Sequence, residues 1–333
     1  MHPADNPLVR SVGKLIVHRS ISAIALMAGL LTVMFAIIHL APGDPVQSMI
    51  APTIPARVAV ELRHQFGLDQ TLPAQYGHWL WNAVRGNLGV SFSHQRPVSD
   101  VLLQFFSNTA ILALAAILLE VVLGLGIGLA AVRFHGSLVE KAVMNASLII
   151  CTLPTFWIGL VLLAAFSYAL GLFPSSQMHS VDAEHLSTFE SMGDLLLHLV
   201  LPALTIAIPG AATIARFVHP NLLKVRKEEY VTFAWSLGLS RRKIFFQYEL
   251  PNAISPVITL LGLEIGTLLS GALVTETIFA WPGMGRLAVQ AISARDYPLV
   301  MGCALVSGIL VILGNLIADL LYHVADPRMR AAS

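Results

Sequence analysis

Charge is scarce in this chain. Only 12% of its 333 residues are Asp, Glu, Lys or Arg, while 56% are hydrophobic, against about 25% charged in an ordinary soluble domain. So little polar surface argues against a water-soluble globule and points to a bilayer as the solvent. Cysteine is nearly absent too. Cys151 and Cys303 both fall in apolar runs, which excludes a disulfide framework or a cysteine-based zinc site and leaves them as small packing residues. No GxxxxGK[ST] phosphate loop, HExxH, CxxC or complete GxSxG occurs, since the GVSFS of residues 89–93 lacks its closing glycine. The hydrolytic chemistry those motifs support is not expected of this chain. Histidines such as His39, His64 and His198 show no ligand spacing. A net charge of +1 gives no basis for a nucleic-acid partner.

What the chain does have is long apolar runs. A spanning helix needs about 20 mostly apolar residues, and six stretches qualify, near 21–40, 108–132, 144–170, 195–214, 256–275 and 299–322. The first exceeds the usual signal core of about 7–15 residues and is followed by Ala41-Pro42-Gly43-Asp44-Pro45, a poor cleavage site, so it reads as a retained anchor. The expected fold class is all-α: a polytopic membrane protein with six transmembrane helices. Residues 1–41 hold the N-terminus and first span, 42–107 a helical extracytoplasmic segment, and 108–333 the core, with a cytoplasmic loop over 216–252 between spans four and five.

Orientation follows from lysine and arginine. With the N-terminus inside, the cytoplasmic side carries Arg10, Lys14, Arg19, Arg133, Lys141, Arg216, Lys224, Arg226, Lys227, Arg241, Arg242, Lys243, Arg328 and Arg330. The outside keeps Arg57, Arg63, Arg85, Arg96, Arg286 and Arg295. Both termini are therefore expected in the cytoplasm.

The segment 42–107 carries two short helical patterns. One has Thr53 as N-cap, Val58, Leu62 and Phe66 on one stripe, and Gly67 to end it; the other runs over 73–85 with Tyr76, Leu80 and Val84 on one face. An irregular loop, GNLGVSFSHQRPVSDVL, follows from Gly86. A second outer segment over 171–194 holds Asp182, Glu184, Glu190 and Asp194 without Lys or Arg, and a third runs over 276–298. Gly124, Gly126 and Gly128, and Gly262 with Gly266, read as places where helix backbones approach closely.

Three carboxylates fall inside spans: Glu120, Glu264 and Asp319. Each costs about 2.5–3.5 kcal/mol at a helix centre, so each should face protein or water rather than lipid. They either line a polar translocation path or are held by neighbouring helices, and no basic residue in any span completes a proton relay. Glu276, Arg286 and Asp296 raise a similar choice. They form an outer gate or binding-protein contact, or they hold a tight turn around Pro282-Gly283 by pairing with one another.

The passage YVTFAWSLGLSRRKIFFQYELPN, from Tyr230, is basic and aromatic where its surroundings are aliphatic. A helix is expected over 224–236, with Tyr230, Phe233, Ala234 and Leu237 on one face. Gly238 breaks it, Ser240 caps a second helix through Tyr248 with Ile244 and Phe245 on its apolar side, and Leu250-Pro251 stops that one. The hairpin, with Arg241, Arg242 and Lys243 on its rim, either lies on anionic lipid or docks another protein.

Here the sequence resembles the membrane-spanning permease subunits of bacterial ABC importers of the dipeptide, oligopeptide and nickel type. Tyr230, Val231, Ala234, Gly238, Leu239, Ser240 and Asn252 match that family's cytoplasmic "EAA" loop. LAPGDP, FGLDQTLPAQYGHWL, GNLGVSF, LPTFWIGLVLL, HLVLPALTIAI and ETIFAWPGMGRLAVQAISARDYPLV follow in order. The resemblance implies that Tyr230, Phe233, Ala234, Leu237, Gly238, Leu239, Ser240 and Arg241 belong to coupling helices that fit a cytoplasmic ATPase. It implies a homologous second permease subunit, two ATPase subunits, an extracytoplasmic solute-binding protein and the bacterial inner membrane. ATP and Mg would sit on the ATPases, with no cofactor on this chain and no enzymatic role for it. Peptides are the expected substrate, ahead of nickel or glutathione; an ATP-independent carrier or channel using the intramembrane carboxylates is the rival. Trp235, Ser236 and Leu237 depart from the family's loop, and Arg216-Phe217-Val218-His219 stands where Arg-x-x-Arg is usual.

Overall fold

The computed structural model describes residues 7–40 and 69–325, with side chains over 22–40 and 69–318 apart from Glu184. The expected short helix from Thr53 to Gly67 lies outside the described residues. Among the described residues the chain is helical, and the one β-type pairing is an isolated bridge between Val90 and Pro97.

We label the helices α1 (Pro7–Leu40), α2 (Leu72–Val84), α3 (Val98–Arg133), α4 (Leu138–Ile150) and α5 (Thr155–Leu162, continued by a π-helical Leu163–Ala169). There follow α6 (Thr188–Val225), α7 (Glu229–Ser236), α8 (Arg241–Ile244, continued by a π turn Phe245–Glu249) and α9 (Leu250–Leu269). The last are α10 (Leu273–Ile278), α11 (Met284–Ser293) and α12 (Tyr297–Ala325). Among the described residues, five helical stretches are long and apolar enough to cross a membrane: Ser22–Leu40, Val98–Arg133, Thr188–Val225, Arg241–Leu269 and Tyr297–Ala318. The α4–α5 pair makes a sixth when taken as one span.

That sixth span differs from expectation. Instead of one helix over 144–170, the chain bends by 106° between α4 and α5. Pro154 is the cause: it lacks an N–H and drives Leu153 out of helical geometry, and it caps α5 in extended backbone (φ −60°, ψ 132°). Thr152 Oγ1 closes the end of α4 on Ile149 O at 2.7 Å. The fifth span also ends early, at Leu269 rather than 275, because Gly271 (φ +123°) turns the chain where a Cβ would lie 2.5 Å from Gly285 N.

Glycine contacts hold the bundle. The most extensive pairing is α3 on α6. A Cβ at Gly124 would sit 2.6 Å from Ile214 Cβ, and one at Gly128 would sit 3.3 Å from Ala215 Cα, while Gly126 faces nothing within 4 Å. Gly262 meets Ala318, and Gly266 meets Leu310 O and Gly314, so α9 crosses α12 at close range. Without water to drive association, such backbone proximity is how membrane helices gain dispersion contact. At 38 residues, α6 is about 57 Å long, well beyond a hydrocarbon core of about 30 Å, so it projects past the membrane.

α2 occupies the expected residues but not the expected face. Leu80 and Val84 are exposed, and its anchors to α1 are polar and aromatic instead. Tyr76 Oη lies 2.9 Å from Thr32 Oγ1, Gln75 Oε1 lies 3.1 Å from His39 Nε2, and the Phe35 and Tyr76 rings are 5.0 Å apart.

The packing yields a paired test. Gly124→Val forces α3 off α6 and is expected to cost about 1–3 kcal/mol by overpacking. Gly126→Ala should be neutral or stabilising by up to about 1 kcal/mol. Thermal midpoints of the two variants in detergent check both.

Candidate functional site

The structure brings two of the three intramembrane carboxylates together. Glu120 on α3 is only 2% exposed. Its carboxyl group lies against Gly210 of α6, where any Cβ would collide with it. Glu264 on α9 is half-buried and lines the same cleft as Glu120. Glu120 Oε2 has no hydrogen-bond partner among the described residues. Both groups border a cleft of about 650 Å³ lined also by Thr155, Pro209, Thr213 and Thr267. Asp319 lies in α12, but its side chain is outside those described. The apolar-run reading could not find Gly210 or Thr213, because nothing in a single span marks what another helix presses against it.

The carboxylates of the outer turn hold the chain there, but not by pairing with arginine. Glu276 and Asp296 are fully buried, and among the described residues neither forms an ion pair with arginine. Glu276 Oε1 accepts from Thr109 Oγ1 at 2.9 Å and from Ala272 N at 3.3 Å; Oε2 accepts from Arg286 N at 3.0 Å. Thr109 Oγ1 in turn accepts from Met284 N at 2.8 Å. Trp281 Nε1 donates to Asn108 O at 3.0 Å, and Asn108 Nδ2 donates back to Pro282 O at 2.9 Å. Gly283 is bare where it meets the Glu276 carboxyl. The Arg286 guanidinium donates to Ala280 O, and Arg286 is half-buried beside an outer cleft that includes Gln177, His179 and Ser180. Asp296 caps α12: Oδ2 accepts from Ser91 Oγ at 2.6 Å, Ser93 N at 2.9 Å and Ser93 Oγ at 2.8 Å, while Oδ1 accepts from Leu299 N at 3.2 Å. Backbone N–H and hydroxyl donors, not charges, satisfy these carboxylates.

The hairpin at the opposite end keeps its break but changes its faces. α6 runs on to Val225, and α7 begins only at Glu229, so the expected single helix over 224–236 is two. Gly238 takes the left-handed conformation (φ +71°), and Ser240 Oγ accepts from Lys243 N at 3.4 Å to cap α8. Leu250-Pro251 does not stop the second helix. The π turn Phe245–Glu249 directly before Pro251 accommodates the proline and carries the helix through into α9. Val231, Ala234 and Ile244 turn inward onto Val132, Leu222 and Val225, with Leu239, Phe245 and Tyr248 packed around them. Ala234 thus parts from the stripe assigned to it. The outward face is Tyr230, Phe233, Trp235 and Leu237, with Phe233 and Leu237 63% and 61% exposed. Arg241, Arg242 and Lys243 are exposed beside it. Arg226 Nε binds Glu249 Oε2 at 2.9 Å and fastens the base.

One cluster escaped the sequence reading. His135, Glu140 and His219 converge beside the base of the hairpin; the departure of His219 from Arg-x-x-Arg was the only hint.

With this geometry in place, similarity to known proteins is informative. Residues 120–331 match the family described as binding-protein-dependent transport system inner membrane component, and 12–113 match its N-terminal counterpart. The chain is 40% identical over 316 residues to the "Di/tripeptide transport system permease protein DppB" of Pseudomonas aeruginosa, covering 91% of this chain and 94% of that one. It is 33% identical over 315 residues to the "Oligopeptide transport system permease protein AppB" of Bacillus subtilis, covering 94% and 98%. It is 34% identical over 323 residues to the "Dipeptide transport system permease protein DppB" of Escherichia coli K12, covering 91% and 94%.

The carboxylate network of the outer turn is open to direct test. Glu276→Ala strands three donors and is expected to cost about 1–3 kcal/mol, read as a lower thermal midpoint. Burial raises the Glu276 carboxyl above the ordinary carboxylate range, against the opposing hydrogen bonds from Arg286 N and Thr109. A raised native value means its contribution is full below the unfolded value and is lost as pH rises through the folded one. The wild-type midpoint should therefore gain on that of the variant as pH falls.

Proposed function

The chain belongs to the family of binding-protein-dependent transport system inner membrane components, and from that premise we propose that it carries peptides inward as one of two permease subunits of a bacterial ATP-driven importer. It is a multi-pass membrane permease component and not itself an enzyme. The peptide assignment follows the transport named for its relatives, di- and tripeptide or oligopeptide. A solute-binding protein would deliver the peptide to the outer end, and two cytoplasmic ATPase subunits, holding the ATP and Mg, would grip the hairpin at the other. Both termini would then lie on the hairpin side, in keeping with the lysine and arginine distribution.

The observation that supports this reading best is the outward face of the hairpin. Phe233, Trp235 and Leu237 stand exposed on a short helix whose other side is buried in the bundle. Exposed aromatic and aliphatic side chains on a rigid base are what an interface core requires. ATPase closure would push on α7 and α8, and the push would reach α6 and α9 together. These two helices and α3 surround the cleft of Glu120 and Glu264, so a shift between them alters the path at its polar point. A ligand changes a conformational equilibrium only through contacts that differ between states, and the hairpin face and this cleft are where such contacts are expected. We assign Glu120 and Glu264 to the path; Asp319 stays a sequence-based candidate for it.

Two experiments test the reading. Phe233→Ser with Leu237→Ser should reduce ATPase co-purification and uptake of a labelled dipeptide by roughly tenfold or more, as for loss of apolar anchors of an interface. Unchanged association and uptake would remove the hairpin from coupling. Glu264→Gln should lower uptake while the ATPases stay attached. Uptake by liposomes containing this chain alone, abolished by Glu264→Gln, would instead establish the ATP-independent carrier.

A further inference from the structure

Three side chains from separate elements meet beside the base of the hairpin, outside the cleft just described. His135 sits in the turn after α3, Glu140 in the first turn of α4 and His219 near the end of α6. His135 Nδ1 is 2.9 Å from Glu140 Oε1, and His219 Nε2 is 2.7 Å from that same oxygen. The three donor atoms all lie within 4.8 Å of one another. The second carboxylate oxygen is taken by the backbone N–H of Gly136, and Ser137 Oγ accepts from Glu140 N at 3.2 Å to cap α4. The carboxylate is thereby held with one oxygen turned to both rings. Glu140 and His219 are mostly shielded, whereas the His135 side chain is 60% exposed.

We propose that His135, Glu140 and His219 form a binding site for a divalent transition-metal cation of the zinc class. Two imidazoles and one carboxylate are a donor set that zinc takes with a fourth position left open. Here that position faces a cleft of about 660 Å³ lined by Met144 and Asn145 among others. Bonds of about 2.0–2.1 Å in a tetrahedron separate donors by roughly 3.3 Å, so the observed 2.7 and 2.9 Å contacts must widen by about half an ångström. His135 has that slack, being exposed and next to Gly136 (φ +82°), around which a Cβ would meet nothing within 4 Å. The hydrogen of Gly136 on the far oxygen is the kind of outer contact that fixes a ligating carboxylate. Two cations border the cleft, Lys141 and Arg216. Lys141 is exposed, and the Arg216 guanidinium is drawn to Cys151 Sγ at 3.2 Å. Without metal, each ring donates an N–H to Glu140. With metal, each turns a lone pair to the ion, and the turn after α3 becomes fastened through α4 to α6. That is the same end of α6 that leads into α7.

The test uses the full-length chain, purified with the subunits that accompany it and stripped by a chelator. Cobalt(II) titration should give one saturable site per chain with visible absorption of tetrahedral intensity, bleached by equimolar zinc. Because even outer contacts of such sites are worth about 10–100-fold in affinity, His135→Gln and His219→Gln should each weaken zinc binding by at least that factor. His94→Gln, a change at an exposed histidine elsewhere, should leave it unchanged. His135 is mostly exposed, so its variant is expected to fold even where a change at His219 disturbs packing. No saturable site, an octahedral cobalt spectrum, or affinity untouched by His135→Gln would each overturn the proposal and leave the cluster as hydrogen bonds alone.

Discussion

The close seating of α3 on α6 is the contact on which the other parts depend. Gly124 and Gly128 allow it by giving the α6 side chains Ile214 and Val218 room against the α3 backbone. Along one and the same α3, Asn108 and Thr109 receive the outer turn, Glu120 presses on Gly210, and Val132 floors the hairpin. Outer turn, cleft and hairpin are thus three stations on one helix pair. A displacement of α6 along α3 is felt at all of them, because packed interfaces shift between discrete arrangements rather than deforming smoothly.

The buried acids of the outer turn and of the bundle interior are handled differently. At the outer turn, Glu276 and Asp296 are saturated by donors, and a saturated network rigidifies what surrounds it. Inside the bundle, Glu120 keeps an oxygen without a partner among the described residues. A buried polar atom left unsatisfied costs about 1–3 kcal/mol, and proteins retain such a cost where something else will use the group. The scaffold is finished at the Glu276–Asp296 turn and left open in its middle.

Much of the architecture was legible from apolar length alone, since a bilayer leaves a spanning chain few options other than helix. The boundaries were less so, for particular reasons. The α3 start at Val98 precedes the purely apolar run because Pro97 and an amphipathic first turn, not hydropathy, set it. Pro154 was visible as a residue, but whether proline kinks a helix or ends it depends on what surrounds it. In α7 the i, i+3, i+4, i+7 pattern marks a stripe without saying which side faces inward, and at eight residues both sides are apolar. Val231 and Ala234 take the inner side, in one cluster with Val132 and Leu222. The His135–Glu140–His219 cluster joins residues 5 and 79 positions apart. Spacing rules built on single helices cannot reach such a distance.

The Arg226–Glu249 ion pair, with Glu249 almost wholly shielded, has a mechanical consequence. It bridges the two legs of the hairpin where they leave the bundle, turning an open fork into a closed triangle. A fork loaded at its tip spreads at the root and absorbs the motion as bending. A triangle does not, so torque applied to the tip arrives at α6 and α9 as a single rotation. One guanidinium and one carboxylate thus add to the apolar floor beneath the hairpin a tie between its two legs.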